Sequence, residues 1–467
     1  MDGLPLNFPL VASNTSQPQP QPNTQLYPLT YTVNDQQNAT LAGIKLTDLA
    51  QQYGTPLYVL DEATLRAAAR AYKDALNHSY SGESLPLYAC KAHMNMGLVK
   101  LMAQEGMGLD VVSGGEIYTA VQAGFPMARV LFNGNNKTQD ELELAIHHNV
   151  GRISVDNFHD LTLIHAIAQS KQKTVDVLLR ITPGIECHTH DYIKTGNIDS
   201  KFGFDLSQLA AAIDWIFEQG RNTIALKGLH AHIGSQIFEV KPYEDLVEIM
   251  LNIYYNIREQ YDGFVMPDLD LGGGLGITYT SQDDPPAITD AVRQVANKVS
   301  AYAARLNYPL PRLLMEPGRS MVASAGLTLY TLGSAKQVPG VRKYVAVDGG
   351  MGDNIRPALY QAQYAAVVAN KVEAPIEETV TVVGKYCESG DVLIRDFLAP
   401  RLESGDILAV FGTGAYNYSM ASNYNRFRRP AVVLVNEGHA HILVQRETYE
   451  TIIQQDLIPA HLRQNEA

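Results

Sequence analysis

Between residues 58 and 320 short apolar runs alternate with stretches of helical period, a rhythm that few folds accept. The apolar runs fall at 55–60, 85–89, 108–112, 130–132, 152–155, 175–181, 226–233, 268–271 and 312–315. Helical periodicity fills the intervals, as over 62–76 and 95–105. Roughly eight strands with helices between them over about 260 residues suit a (β/α)8 barrel. A doubly wound open sheet would show the same alternation, so the pattern favours the barrel without excluding the sheet.

After about residue 325 the rhythm changes. Short β-rich runs follow at 344–347, 379–383, 407–410, 431–435 and 440–444, with turn signals at Asp348-Gly349-Gly350 and Glu437-Gly438. The chain has 467 residues, too many for one ordinary core, so a second domain is expected on length alone. The expectation is an all-β C-terminal domain, a β-sandwich or β-barrel, over 321–467, to which residues 41–57 contribute. Residues 1–40 are rich in Gln, Pro, Asn and Thr, including a Gln-Pro repeat at 17–22, and are expected to be a disordered extension.

Composition excludes several roles. A net charge of −13 argues against a nucleic-acid partner, which needs clustered Lys and Arg. Three cysteines, Cys90, Cys187 and Cys387, give no disulfide framework and suit a reducing compartment. No run approaches 18 apolar residues, and no Lys or Arg precedes Lys45, so neither a membrane span nor a targeting peptide is expected. The default is a cytoplasmic enzyme.

In a barrel, catalytic groups sit at the C-terminal ends of the strands. That rule selects Lys91, Asp110, Arg180, His232, Gly272 to Gly274 and Glu316. Taken alone, Lys91 is more simply a lysine snorkelling off a strand end. Its neighbours add weight. Gly272-Gly273-Gly274-Leu275-Gly276 follows a strand, where backbone N–H groups can approach an anion closely. His232-Ile233-Gly234-Ser235 adds a hydroxyl, and Glu316-Pro317-Gly318-Arg319 adds a guanidinium suited to a phosphate or carboxylate. The glycine run lacks the spacing of a dinucleotide fingerprint, and a plain tight turn would not account for the other two motifs.

Five ordered motifs then carry a resemblance. They are Tyr88-Ala89-Cys90-Lys91-Ala92, His230-Ala231-His232-Ile233-Gly234-Ser235-Gln236, the glycine run at 272–276, Glu316-Pro317-Gly318-Arg319 and Cys387-Glu388-Ser389-Gly390-Asp391. Over residues 44–447 the chain resembles the alanine-racemase-like, fold III enzymes that use pyridoxal 5′-phosphate, and among them the diaminopimelate decarboxylase family. The resemblance implies Lys91 as the Schiff-base lysine and His232 stacked on the pyridine ring. It implies Ser235, Gly272, Gly273, Gly274, Gly318 and Arg319 around the phosphate, with Asp110 and Arg180 also toward the cofactor. Glu316 would pair with the ring nitrogen, where racemases of this fold place an arginine; a carboxylate there favours the protonated, electron-withdrawing ring. Arg319, Arg356 and Tyr360 would face the substrate's far carboxylate, Glu388 its distal ammonium, and Tyr416 both cofactor and substrate. Cys387 resembles the cysteine that reaches a neighbouring subunit's cofactor, which implies a homodimer with shared sites.

The implied reaction is decarboxylation of meso-2,6-diaminopimelate to L-lysine, with other fold III substrates (ornithine, arginine, lysine or carboxynorspermidine) as alternatives. Arg356 with Glu388 speaks against the simple diamino acids, which carry no far carboxylate. A noncatalytic antizyme-inhibitor-like binding protein is a further alternative, against which stand Lys91, Glu316 and Cys387. Read alone, Arg356 and Tyr360 are also compatible with an ordinary exposed loop, and Cys387 with a small buried residue. Cys187-His188-Thr189-His190 invites a metal reading, but no second ligand cluster has suitable spacing and no metal is expected. His439 and His441 are read as structural. His93 departs from the asparagine usual in the family after Lys-Ala.

Overall fold

The computed structural model describes residues 21–184 and 200–463; the Cys187-His188-Thr189-His190 motif lies outside them. Eight parallel strands close into a barrel in simple sequence order: Ser84–Ala89, Gly108–Val111, Val130–Phe132, Arg152–Val155, Val175–Arg180, Ile224–His230, Asp268–Asp270 and Arg312–Met315. The open-sheet alternative is thereby excluded.

Several strand-to-helix turns are made by a polar residue that caps the next helix. Asn95, Ser113 and Asn157 each accept a backbone N–H at the start of Met96–Gln104, Gly114–Gln122 and Phe158–Ser170. Thr138 and Glu141 form a reciprocal capping box on Gln139–His147. Such compact turns leave the strand-end residues pointing into the mouth. Strand alternation then sorts the interior into layers. Leu87, Leu131, Leu178 and Leu314 form an apolar plug of their own inside the barrel. Two residues further along three of those strands, the same inward face presents Asn133, Arg180 and Glu316. A dry plug therefore underlies a polar floor.

The C-terminal domain is mostly β, as expected. It is a nine-stranded sheet built on the 13-residue strand Gly326–Val338. Up to Thr331 that strand pairs with Leu57–Asp61 and Ile407–Phe411. From Leu332 onward it pairs with Arg342–Val347, and the register shifts there. Two apolar clusters follow this change of partner, one around Leu327, Leu329 and Phe411, the other around Tyr330, Leu332 and Val345.

Two expectations need correction. The run at 55–60 is not a barrel strand: Leu57–Asp61 lies between Gly326–Val338 and Ala431–Asn436 in the C-terminal sheet. It is buried along its whole length, as a barrel strand would be, so periodicity could not separate the two. Residues 21–40 are not disordered. Asn23 is fully buried and its side chain bonds the carbonyls of Gly276 and Pro286 and the N–H of Ile288. Tyr31–Val33 pairs with Ala39–Leu41, and Tyr27 and Tyr31 stack at 4.7 Å beside Phe411. Polar side chains that satisfy buried backbone groups hold this segment, and composition does not reveal them.

Candidate active site

At the C-terminal end of the barrel lies a cavity of about 530 Å³, a size suited to a cofactor with a small substrate. Lys91 enters it from a single 3₁₀ turn, Cys90–Ala92, directly after the first strand. Arg180, His232 and Glu316 reach it from the ends of strands five, six and eight. Ser235, Gly274, Gly318 and Arg319 line it from the loops beyond strands six, seven and eight, and Arg356, Tyr360 and Tyr416 come from the C-terminal domain. Asp110 is buried behind the wall and tied to it through Asn133, which donates to Asp110 at 2.6 Å and to Glu316 at 2.7 Å.

One end is built for an anion. Arg319 donates to Ser235 Oγ at 3.0 Å and to the Tyr279 hydroxyl at 2.6 Å, which fixes the guanidinium on two sides. The glycine loop packs behind it. A Cβ on Gly273 would lie 2.0 Å from the Glu316 carbonyl, so no larger residue fits there. Gly274 has a φ of +114° and would meet the Gly234 carbonyl at 2.4 Å. Both glycines are required by close backbone approach.

The floor is electrostatically sorted. Burial works against ionisation of Glu316, yet the hydrogen-bonding His230 and then the Lys91 charge hold the carboxyl well below its ordinary range. Burial and then the Glu316 charge push Asp110 up to about 8, so it stands near neutrality. Asp270 is raised for the same two reasons, and its Oδ1 accepts the Gly272 N–H at 2.9 Å. Burial opposes the Lys91 ammonium, but Asp110, Tyr416 and Glu316 outweigh it and keep its pKa above the usual value. His232 is driven well below its usual value by burial and then by Lys91, so its ring is neutral. A neutral, flat ring suits stacking better than ion pairing.

The opposite wall is cationic. Arg356 lies 5.3 Å from the Tyr416 ring and 5.0 Å from that of Tyr360, and its buried Nε has no hydrogen-bond partner. Arg319 stands 4.8 Å from Tyr416 on another side. Tyr416 holds a left-handed backbone, φ +64°, with its N–H on the Ala92 carbonyl at 2.7 Å. A non-glycine residue kept in that conformation beside Lys91 marks a position where orientation outweighs strain. Arg356 and Tyr360 are therefore cavity residues, not an ordinary exposed loop.

Cys387 and Glu388 do not join them. Both are exposed, and neither lines the cavity of its own chain. The reading of Cys387 as a small buried residue fails. Asn133, Lys137, His230 and Asp270 belong to the site, and the strand-end rule did not single them out. Lys137 is buried at the cavity edge and bonds the Ser154 carbonyl at 2.6 Å and Asp160 at 3.0 Å. Asn133-Gly134-Asn135-Asn136 reads as a loop, and His230 stands in the shadow of His232, though it ends the strand and lines the same cavity.

Residues 62–323 match the family described as pyridoxal-dependent decarboxylase, pyridoxal binding domain. A diaminopimelate decarboxylase of Bacillus subtilis is 50% identical over 426 residues, covering 91% of this chain and 96% of that one. One of Synechocystis sp. is 48% identical over 451 residues, covering 95% of each. Among solved structures, the M. jannaschii diaminopimelate decarboxylase in complex with L-lysine superposes with a TM-score of 0.87 at 35% identity, over 94% of this chain and 100% of that one.

Proposed function

The chain belongs to the pyridoxal-dependent diaminopimelate decarboxylases, and on that premise we propose how its cavity converts meso-2,6-diaminopimelate to L-lysine and carbon dioxide. The residues fit pyridoxal phosphate: an anion cradle at one end, an ionised glutamate on the floor, and a lysine between them. When bound, that cofactor supplies an aldehyde for amine condensation and a ring that accepts the electron pair released as carbon dioxide leaves. Lys91 would hold it covalently, and Asp110, with a pKa of about 8, would exchange a proton with the Lys91 Nζ. Ser235, Gly272, Gly273, Gly274, Gly318 and Arg319 would hold the phosphate, Arg180 would stand at its flank, and His232 would support one face of the ring. Glu316 would keep the ring nitrogen protonated.

The observation that carries the substrate reading is Arg356, whose buried, unpartnered Nε stands in the cavity beside Tyr416. A buried guanidinium with a free N–H at Nε calls for an acceptor, and the far carboxylate of diaminopimelate supplies one that is also an anion. Arg319 and Tyr360 would share that end. Ornithine and lysine would leave Arg356 unsatisfied. Carbon dioxide release should therefore be strong with meso-diaminopimelate and absent or trace with L-lysine, L-ornithine, L-arginine and carboxynorspermidine. Turnover of one of the others in preference to meso-diaminopimelate would overturn the assignment. A noncatalytic binder would release none from any of them and show no visible cofactor band.

The distal ammonium needs an anion too, and Glu388 is exposed and does not line its own cavity. We assign Glu388 and Cys387 to the cavity of a partner subunit, Cys387 beside the cofactor. Mixing Lys91→Ala with Glu388→Ala subunits, each inactive alone, should then restore activity. Random pairing makes about half the dimers mixed, and each mixed dimer has one intact site, so roughly a quarter of all sites recover. No recovery despite proven subunit exchange would mean that each site is built from a single chain.

A further inference from the structure

Beneath the cavity the ends of the fourth, sixth and eighth barrel strands bring a serine, a histidine and a glutamate into line. Ser154 Oγ and His230 Nδ1 are 3.0 Å apart. Across the same imidazole, His230 Nε2 lies 3.4 Å from Glu316 Oε1. All three residues are buried. Asn133, from the loop just beyond the third strand, donates to that same Oε1 at 2.7 Å. We propose that His230, pinned by Ser154 and acting together with Asn133, is a positioning residue that keeps Glu316 anionic and aimed at the cofactor's ring nitrogen; this rests on the pyridoxal phosphate reading above.

Hydrogen-bond chemistry fixes the direction. Burial, acting against Glu316, keeps His230 neutral, and a neutral imidazole has a single N–H. With the Ser154 hydroxyl donating to Nδ1, the proton resides on Nε2 and faces Glu316. Nε2 has no completed hydrogen bond, and Glu316 is the acceptor it faces. Contacts of this kind are often long without ligand and tighten when the site fills. Two donors thus converge on Oε1, and Oε2 is the oxygen turned over to the cofactor. The titratable surroundings agree. Besides the two neutral imidazoles of His230 and His232, Glu316 interacts with Lys91, Asp110, Asp270 and Arg180. Of the three carboxyls, Asp110 and Asp270 are raised and Glu316 alone is lowered, so the negative charge collects on Glu316. An outer residue that orients a charged inner one is a common arrangement, typically worth about ten- to a hundredfold.

The test is the ¹⁵N resonance of the ring nitrogen in holoenzyme loaded with ¹⁵N-labelled pyridoxal phosphate. In the unaltered enzyme it should sit at the protonated position across the working pH range. His230→Leu should move it toward the unprotonated position and lower kcat about ten- to a hundredfold with KM little changed. His230→Gln, whose amide replaces the Nε2 donor, should return most of the shift. If the leucine variant fails to hold cofactor, Ser154→Ala should move the resonance part of the way in the same direction. An unmoved resonance in whichever of these variants is loaded overturns the proposal. Glu316→Gln separates the two levels: a resonance unmoved there defeats the assignment of Glu316 itself, whereas movement there with none at His230 or Ser154 defeats only the positioning role.

Discussion

Replacing Lys91 by alanine is expected to lower carbon dioxide release from meso-diaminopimelate by roughly ten-thousandfold or more, the scale on which loss of a covalent catalytic group is felt. The fold should survive. Lys91 is half-buried and ends a strand, so its removal opens no void in the apolar plug. The variant's carboxyl cluster loses one of its cations, and Asp110 should then titrate still higher, since Lys91 is one of the charges that lowers it. The anion cradle of Ser235, Arg319 and the glycine loop remains, so cofactor should still bind, more weakly and without its covalent absorbance band. Assay of the purified variant, with thermal unfolding as the control for structure, checks this. Activity within tenfold of the original would be incompatible with the role given to Lys91.

Glu316→Gln is the second large effect. The substitution preserves shape but removes the charge, so a loss of about a hundredfold or more is expected while the cofactor still binds. Glutamine also changes the floor. Asp110 and Asp270 are both pushed up by the Glu316 charge, so both should become easier to ionise once it is gone. A near-normal rate in a steady-state assay would refute the pairing of Glu316 with the ring nitrogen.

Much of this is legible in the chain because barrel geometry makes strand ends informative. Lys91, Arg180, His232 and Glu316 each stand at or just past the end of an apolar run, and each lines the cavity. The eight barrel strands are legible for the same reason. The misreadings also have physical causes. Leu57–Asp61 is buried on both faces in a sheet that chain order does not announce, so it passes for a barrel strand. Gly326–Val338, the longest strand of the second domain, escapes detection because half of it is buried and half exposed, which breaks any single periodicity. Asn23 anchors its segment through amide hydrogen bonds that composition hides. Asn133, His230 and Asp270 work through distances between strands, and no linear spacing encodes those. Cys387 and Glu388 are legible as a motif, but neither lines the cavity of its own chain, and no linear spacing says so.

The central claim is that this cavity carries pyridoxal phosphate on Lys91. Borohydride reduction of the holoenzyme followed by peptide mapping tests it most directly, because reduction makes the lysine–cofactor bond permanent wherever it stands. The label should be found on the peptide containing Tyr88-Ala89-Cys90-Lys91, at Lys91, in near-stoichiometric amount, and a preparation carrying Lys91→Ala should take up none. A stable label on another lysine, Lys137 at the cavity edge included, or no label on a protein that still decarboxylates meso-diaminopimelate, would contradict it.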